Sequence, residues 1–203
     1  LESRGAVKKG SIYAMKLLSQ QRFKAQRIVK YAFGERNVMK VARHPCLVRL
    51  HCAFQVLVPE AEWVLVMEFC SAGSLKDKIC RQGKPGLPLD PARRYAAEIL
   101  SGVEYLHSSQ IIFRDLKPDN VVITGKDHCK MTDFGLAKAD IATGTGSVCG
   151  SPGFVAPEVG RRRYDMTVDL FSLGVTLFIM LTGGERQADF MGNVTVNPIF
   201  RQD

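Results

Sequence analysis

The stretch Phe113-Arg114-Asp115-Leu116-Lys117-Pro118-Asp119-Asn120 sets a carboxylate, an ammonium and a side-chain amide at fixed offsets in one short loop. A carboxylate there can accept a proton from a hydroxyl, and an ammonium two residues on can neutralise a phosphoryl group. The amide oxygen of Asn120 suits a hard metal ion. Together they could serve phosphoryl transfer.

The elements that must position this loop follow from the hydrophobic pattern. Ser11 to Leu18 reads as a buried strand after the Lys9-Gly10 turn. From Gln26 to Ala42 a helix is expected: Ile28, Ala32, Glu35, Val38, Met39 and Ala42 recur at three-to-four spacing, and His44-Pro45 ends it. Cys46 to Val58 and Trp63 to Phe69 read as two strands joined by a polar turn. Ser71-Ala72-Gly73 breaks the pattern and marks a boundary between a lobe over 1–69 and a mainly helical lobe over 70–203. Leu89-Asp90-Pro91 is a helix start in which Asp90 can cap, and Tyr95, Ile99, Leu100, Val103 and Leu106 form that helix's apolar face. Val121 to Ile123 and Cys129 to Thr132 read as a small hairpin around Gly125-Lys126-Asp127. Ala139 to Gly153 is polar and glycine-rich, the expected mobile segment. Thr167 to Thr182 is a mostly apolar helix, expected to be buried nearly all round. Strands with one helix, then mostly helices, suit a two-lobed α+β fold.

Composition bounds the rest. A chain of 203 residues fits one large domain or two small lobes, and a hydrophobic fraction of 46% argues against disorder. The net charge of +8 is compatible with nucleic acid, a membrane surface or an acidic substrate, and equally with a solvated basic surface. No aromatic-basic repeat is present, so no nucleic-acid partner is expected; Lys8-Lys9 and Arg161-Arg162-Arg163 read as solvated loops. Cys46, Cys52, Cys70, Cys80, Cys129 and Cys149 form no CxxC pair or zinc-like spacing. Scattered thiols suit a reducing, intracellular compartment, cytoplasmic in this reading. The longest apolar run, Leu173 to Leu181, is too short to span a bilayer, no secretory leader is seen, and a start at Leu1 suggests a fragment.

The loop F-R-D-L-K-P-D-N resembles the catalytic loop of eukaryotic protein kinases. Three further segments in the same order resemble that family. Ala14-Met15-Lys16 is similar to its V-A-I-K strand, Thr132-Asp133-Phe134-Gly135 to its D-F-G segment, and Gly150 to Glu158 to the end of its activation segment with A-P-E intact. The resemblance implies that Lys16 binds the α- and β-phosphates of ATP, tethered by Glu35. It implies that Asn120 and Asp133 bind Mg2+, and that Gly135 permits a sharp turn. Asp115 would accept or orient the substrate hydroxyl proton, and Lys117 would neutralise the transferring phosphoryl group. Taken singly, Lys16 reads as an edge-strand lysine, and the alternative for Glu35 is an exposed helix glutamate. Asp169 to Gly174 resembles the start of the central C-lobe helix, with Phe171 where tryptophan is usual; there Asp169 would brace the catalytic-loop backbone. Glu158 would pair with an arginine beyond the chain. Phe113, Phe134, Met39 and Leu50 match side chains that stack between the lobes.

Lys117 and Gly150-Ser151 favour serine/threonine over tyrosine kinases. Phe113 in place of histidine, with Tyr13 to Lys16, Val66 to Phe69 and Cys149 to Pro152, is similar to the AGC group. In that group Met67 would be the gatekeeper, and Glu68 and Cys70 would offer backbone groups to adenine. Ser147 falls at the activating phosphosite, modified by an upstream kinase, with Arg114 and Lys138 as its clamp. Thr143 and Thr145 are alternatives. Cys149 is assigned to packing.

The sequence also departs from the family. No glycine-rich loop is found ahead of Arg4-Gly5-Ala6-Val7, and the chain stops soon after the central helix. It is therefore expected to be a domain truncated at both ends, with little activity alone and with regulatory domains elsewhere. Basophilic relatives use acidic residues at the substrate cleft; Ser74, Gly153 and Ile179 replace three of them, and Asp119 keeps one. Protein substrates are expected. The rival reading is a kinase-fold pseudoenzyme acting as a binding or scaffold module, which the presence of Lys16, Asp115, Asn120 and Asp133 disfavours.

Overall fold

The computed structural model describes residues 10–19, 34–56, 62–139, 145–161 and 163–184. Strand β1 (Tyr13–Ser19) pairs antiparallel with β3 (Glu62–Glu68), and β3 pairs antiparallel with β2 (Leu50–Val56), so β3 is central in this sheet. Lys16 stands opposite Leu65, and Ala14 opposite Met67. Helix α1 covers 34–41 among the described residues. It turns Glu35, Val38 and Met39 inward, as the spacing predicts, with Ala42 buried just beyond it; the expected start at Gln26, with Ile28 and Ala32, lies outside the described residues.

Two expectations about the strands change. The run from Cys46 is not extended until Leu50. Before it, Leu47 forms a bridge to Met131, and Met131 N donates to Cys46 O at 2.8 Å. Strand β1 is also not buried, because Met15 and Leu17 are exposed while Lys16, between them, faces the other way. That alternation is the period-two pattern of a strand with one solvated face.

Helix α2 (Leu75–Gln82) begins with a capping box, Ser74 Oγ accepting from Asp77 N at 3.0 Å and Ser74 N donating back to Asp77 Oδ2 at 2.9 Å. Helix α3 (Leu89–Ser108) starts two residues earlier than an Asp90 cap would place it. Pro88 is its N-cap, and Asp90 lies in the first turn, paired with Arg93 at 3.0 Å. Tyr95, Ile99, Val103 and Leu106 are fully buried on its inner face, but Leu100 is turned outward. The hairpin of β4 (Val121–Ile123) and β5 (Cys129–Met131) forms as expected, with Asp127 in the left-handed region at φ 63°. Helix α4 (Thr167–Thr182) packs on α3. It is not buried all round, since Leu170 and Leu181 are exposed. One core joins α1, the sheet, α2, α3, the hairpin and α4, and a second small cluster gathers Ile112, Ala156, Val159, Tyr164 and Val168. No helix among the described residues is long and apolar enough to cross a membrane. All six cysteines are unpaired, as their spacing suggests.

Candidate active site

Three distant parts of the chain meet at one ammonium. Lys16 Nζ, on β1, lies 2.9 and 3.0 Å from the two carboxylate oxygens of Glu35 on α1 and 2.8 Å from Asp133 Oδ1. Glu35 is almost wholly buried, so it is no exposed helix glutamate. Burial opposes the Lys16 charge, but the Glu35 and Asp133 carboxylates outweigh it and hold the Lys16 pKa above that of a free lysine. Burial pushes the Glu35 carboxyl up, against the pull of the Lys16 ammonium. Two oxygens within hydrogen-bond reach of one ammonium are the contacts of an ion pair, so both groups are read as charged.

Asp133 takes the sharp turn that was expected of Gly135. Its own backbone is left-handed, at φ 62°, a region that aspartate tolerates better than most residues. Gly135 shows no such angle. Its need is space: a Cβ there would meet Asp133 Oδ1 at 3.3 Å and Glu35 Oε2 at 3.8 Å. Phe134 is buried and meets Phe113 edge to face, with centroids 5.3 Å apart. Met39 belongs to the same core and Leu50 packs against it, so the four expected stacking residues share one apolar cluster.

The Asp115 loop is similarly assembled. Lys117 Nζ lies 3.0 Å from Asp115 Oδ2, and Asn120 Nδ2 donates to Asp115 Oδ2 at 2.7 Å and to its carbonyl at 2.8 Å. Ser151 Oγ donates to Asp115 Oδ1 at 2.7 Å and accepts from Lys117 Nζ at 2.5 Å. A hydroxyl thus already sits where Asp115 and Lys117 can both touch it. Ser151 reaches this place because Gly150 turns at φ 119°, where a Cβ would come within 2.8 Å of Val155 and 3.0 Å of the Arg114 carbonyl.

Asp169, at the start of α4 and fully buried, accepts from Phe113 N at 2.9 Å and Arg114 N at 2.8 Å. The brace includes a residue the sequence reading missed, His107 on α3, whose Nε2 lies 2.8 Å from Asp169 Oδ2. Only its place in the last turn of α3, facing an aspartate 62 residues away, gives it that part. The bracing holds Arg114 at φ 70°.

The expected phosphosite is less closely assembled. Ser147 is exposed, with its carbonyl accepting from the Tyr164 hydroxyl. Lys138 Nζ donates instead to Thr145 Oγ1 at 2.9 Å, and Arg114 Nε to Leu136 O at 2.6 Å. Thr145 is buried and bridged to Tyr164, so this end of the expected mobile segment is anchored; Thr143 lies outside the described residues. Cys149 Sγ is 3.9 Å from the Tyr164 hydroxyl, in keeping with packing. Met67 is buried beside Leu50 and Ala14. Cys70 is half-buried with its thiol pushed up by burial, and Glu68 pairs with Lys130 at 2.7 Å. Glu158 lies in the one-turn helix Pro157–Arg161.

The fold thus carries a Lys–Glu–Asp cluster and an Asp–Lys–Asn loop, each held together by its own contacts. The protein kinase domain family matches residues 4–202, and the chain belongs to it, as an AGC-type member. Serine/threonine-protein kinase Sgk3 of Rattus norvegicus is 41% identical over 178 residues, 86% of this chain and 35% of that protein. The RAC family serine/threonine-protein kinase homolog of Dictyostelium discoideum is 38% identical over 86% of this chain and 39% of its own length. Protein kinase C zeta type of Oryctolagus cuniculus is 38% identical over 87% and 30%. The chain therefore spans between 30% and 39% of these relatives.

Proposed function

We propose that this chain carries the catalytic centre of an AGC-type serine/threonine protein kinase, moving the ATP γ-phosphoryl group to a protein hydroxyl. The observation that carries the reading is the contact of Lys16 Nζ with both Glu35 and Asp133, residues 19 and 117 positions away. An ammonium held by two carboxylates has a defined place, and a defined place is what nucleotide phosphates need.

Residues 1–69 and 70–203 form the two lobes in this reading, with Met67, Glu68 and Cys70 where adenine would lie. Asn120 spends its amide NH2 on Asp115, which leaves its carbonyl oxygen for a cation. That oxygen and the Asp133 carboxylate are hard donors that fit Mg2+, which keeps waters and takes the remaining oxygens from phosphates. When bound, Mg2+ would neutralise charge on the β- and γ-phosphates. Asp115 takes the hydroxyl proton as the acceptor oxygen bonds to phosphorus and the bond to the ADP oxygen breaks. Lys117, held against Asp115 and Ser151, stabilises the charge on the transferring group.

The buried Arg114 Nη1 has no hydrogen-bond partner among the described residues. A phosphate on Ser147, placed by an upstream kinase, would supply one, with Lys138 beside it. The remaining substrate-cleft carboxylate is already occupied: Lys76 Nζ lies 2.6 Å from Asp119 Oδ1, and Asp77 serves the α2 cap. Substrates without an arginine requirement are the reading this supports. Regulatory segments outside the chain and an intracellular site complete it.

The test is a γ-phosphoryl transfer assay on the full-length protein beside Asp115→Asn. A loss in kcat of about 100- to 10,000-fold is expected; equal rates would refute the assignment and revive the scaffold reading. Ser147→Ala should lower activity of the phosphorylated enzyme, and no change would return Ser147 to an ordinary loop serine. On a peptide library, Lys76→Ala should raise selectivity for arginine-containing peptides by freeing Asp119.

A further inference from the structure

Between the end of α1, the residues before β2 and the end of β3 lies an open cavity of about 520 Å3. It is lined by Ala42, Arg43, His44, Leu47, Arg49, His51, Glu68 and Lys130. None of the ammonium, carboxylate and amide groups assigned above to phosphoryl transfer lines it. Its volume is that of a small-molecule site.

The charge on its wall is one-sided. Three permanent cations, Arg43, Arg49 and Lys130, face one carboxylate, Glu68, leaving a surplus of two positive charges. Glu68 is already fully used: Lys130 Nζ lies 2.7 and 2.9 Å from its two oxygens, and Arg49 N donates to it at 3.3 Å. Among the described residues the guanidinium groups of Arg43 and Arg49 have no hydrogen bond or ion pair. Two imidazoles add donors. His44 Nδ1 accepts from Cys46 N at 3.2 Å, which leaves Nε2–H to donate, and the ring is stacked on Tyr105. His51 is held edge-on by Tyr13, with ring centroids 4.6 Å apart. Burial, helped by Arg49, keeps its pKa below that of a free histidine, so it is a neutral donor at neutral pH.

We infer that this cavity is an anion site for a phosphomonoester, bound as its dianion by Arg43 and Arg49 with Lys130 behind them. The dianion matches the surplus charge, and paired planar guanidiniums match its oxygens better than they match a monoanion. Ala42 and Leu47 offer a small apolar wall for the organic part of the ester. The inference does not rest on the phosphoryl-transfer reading, and its test reads binding alone.

The probe is phenyl phosphate, titrated into the full-length protein by calorimetry at physiological chloride, with the nucleotide site filled by Mg2+ and a non-hydrolysable ATP analogue. The His44 and His51 ring resonances are followed in the same titration. Saturable one-site binding that shifts both rings is expected, weakened about tenfold or more in Arg43→Gln/Arg49→Gln. Both arginines are exposed, so an unchanged far-ultraviolet dichroism spectrum should show that the variant folds. Equal affinity of the variant, equal affinity for phenyl sulfate, or no binding would overturn the proposal. A phosphoserine peptide that displaces phenyl phosphate with higher affinity would assign the ester to a protein chain, and the reverse order to a small molecule; either supports the site.

Discussion

Asp169 shows how much a single side chain can organise. It is fully buried yet makes three contacts, to His107 and to the amides of Phe113 and Arg114. A carboxylate buried without such partners would be strongly unfavourable. Its removal exposes the reverse problem, because two amides and an imidazole lose their acceptor in a dry place. Asp169→Ala should therefore destabilise the full-length protein by about 3 kcal/mol, read as a lowered denaturant midpoint, and should lower kcat as the Asp115 loop loosens. A midpoint unchanged from the parent would remove Asp169 from the brace. Asp133 and Gly135 make a smaller point at the same scale. The D-F-G pattern names both residues, but only the backbone angles tell that Asp133 turns and that Gly135 makes room.

Among the elements, the β4–β5 hairpin depends on one aspartate at its tip. Asp127 is held by Lys78 of α2 and by Tyr95 and Arg94 of α3, so it ties the hairpin to both helices. Since β5 runs on to Asp133 and Asn120 immediately precedes β4, this clamp indirectly steadies the expected metal ligands. Hydrogen bonds from Lys78, then Tyr95, with Arg94 adding to them, hold the Asp127 carboxyl well below the ordinary aspartate range. A depressed folded-state pKa contributes stability that is present above the unfolded value and lost as pH falls toward the folded one. Asp127 is nearly half exposed, which limits the effect through solvent screening. Between pH 5 and pH 3, roughly, the parent should lose on the order of 1 kcal/mol more than Asp127→Asn, measured by denaturant unfolding at each pH. Parallel losses would show that the clamp contributes nothing through its charge.

The whole molecule is held by a core that runs from α1 through Phe134 and Phe113 to α3 and α4. Phe134 is both a core side chain and the neighbour of Asp133. Phe134→Ala should destabilise by roughly 3–5 kcal/mol, with a loss of activity, whereas Leu170→Ala on the exposed face of α4 should change stability by less than about 1 kcal/mol. Thermal or denaturant unfolding of both variants would check the contrast, and comparable losses would contradict the assigned burial.

Local pattern determined much of this protein. The spacing of apolar residues located α3 and the hairpin, and α4 to the residue; the motifs around Lys16, Asp115, Asn120 and Asp133 resemble those of the protein kinase domain, to which the chain belongs. Those signals are local, since helix period, turn residues and short motifs each lie within a few residues. What local pattern could not supply was contact between distant residues. That Lys16 bonds Glu35 and Asp133 together, that Ser151 bridges Asp115 and Lys117, that His107 joins Asp169, and that Lys76 occupies Asp119 all depend on which faces of the elements meet. The misread features have the same origin. Leu100 turned out and β1 half-solvated because burial belongs to packing, and Asp90 lost its cap because the backbone entered α3 two residues sooner. The cationic wall became visible only when folding placed Arg43, Arg49 and Lys130 around one cavity.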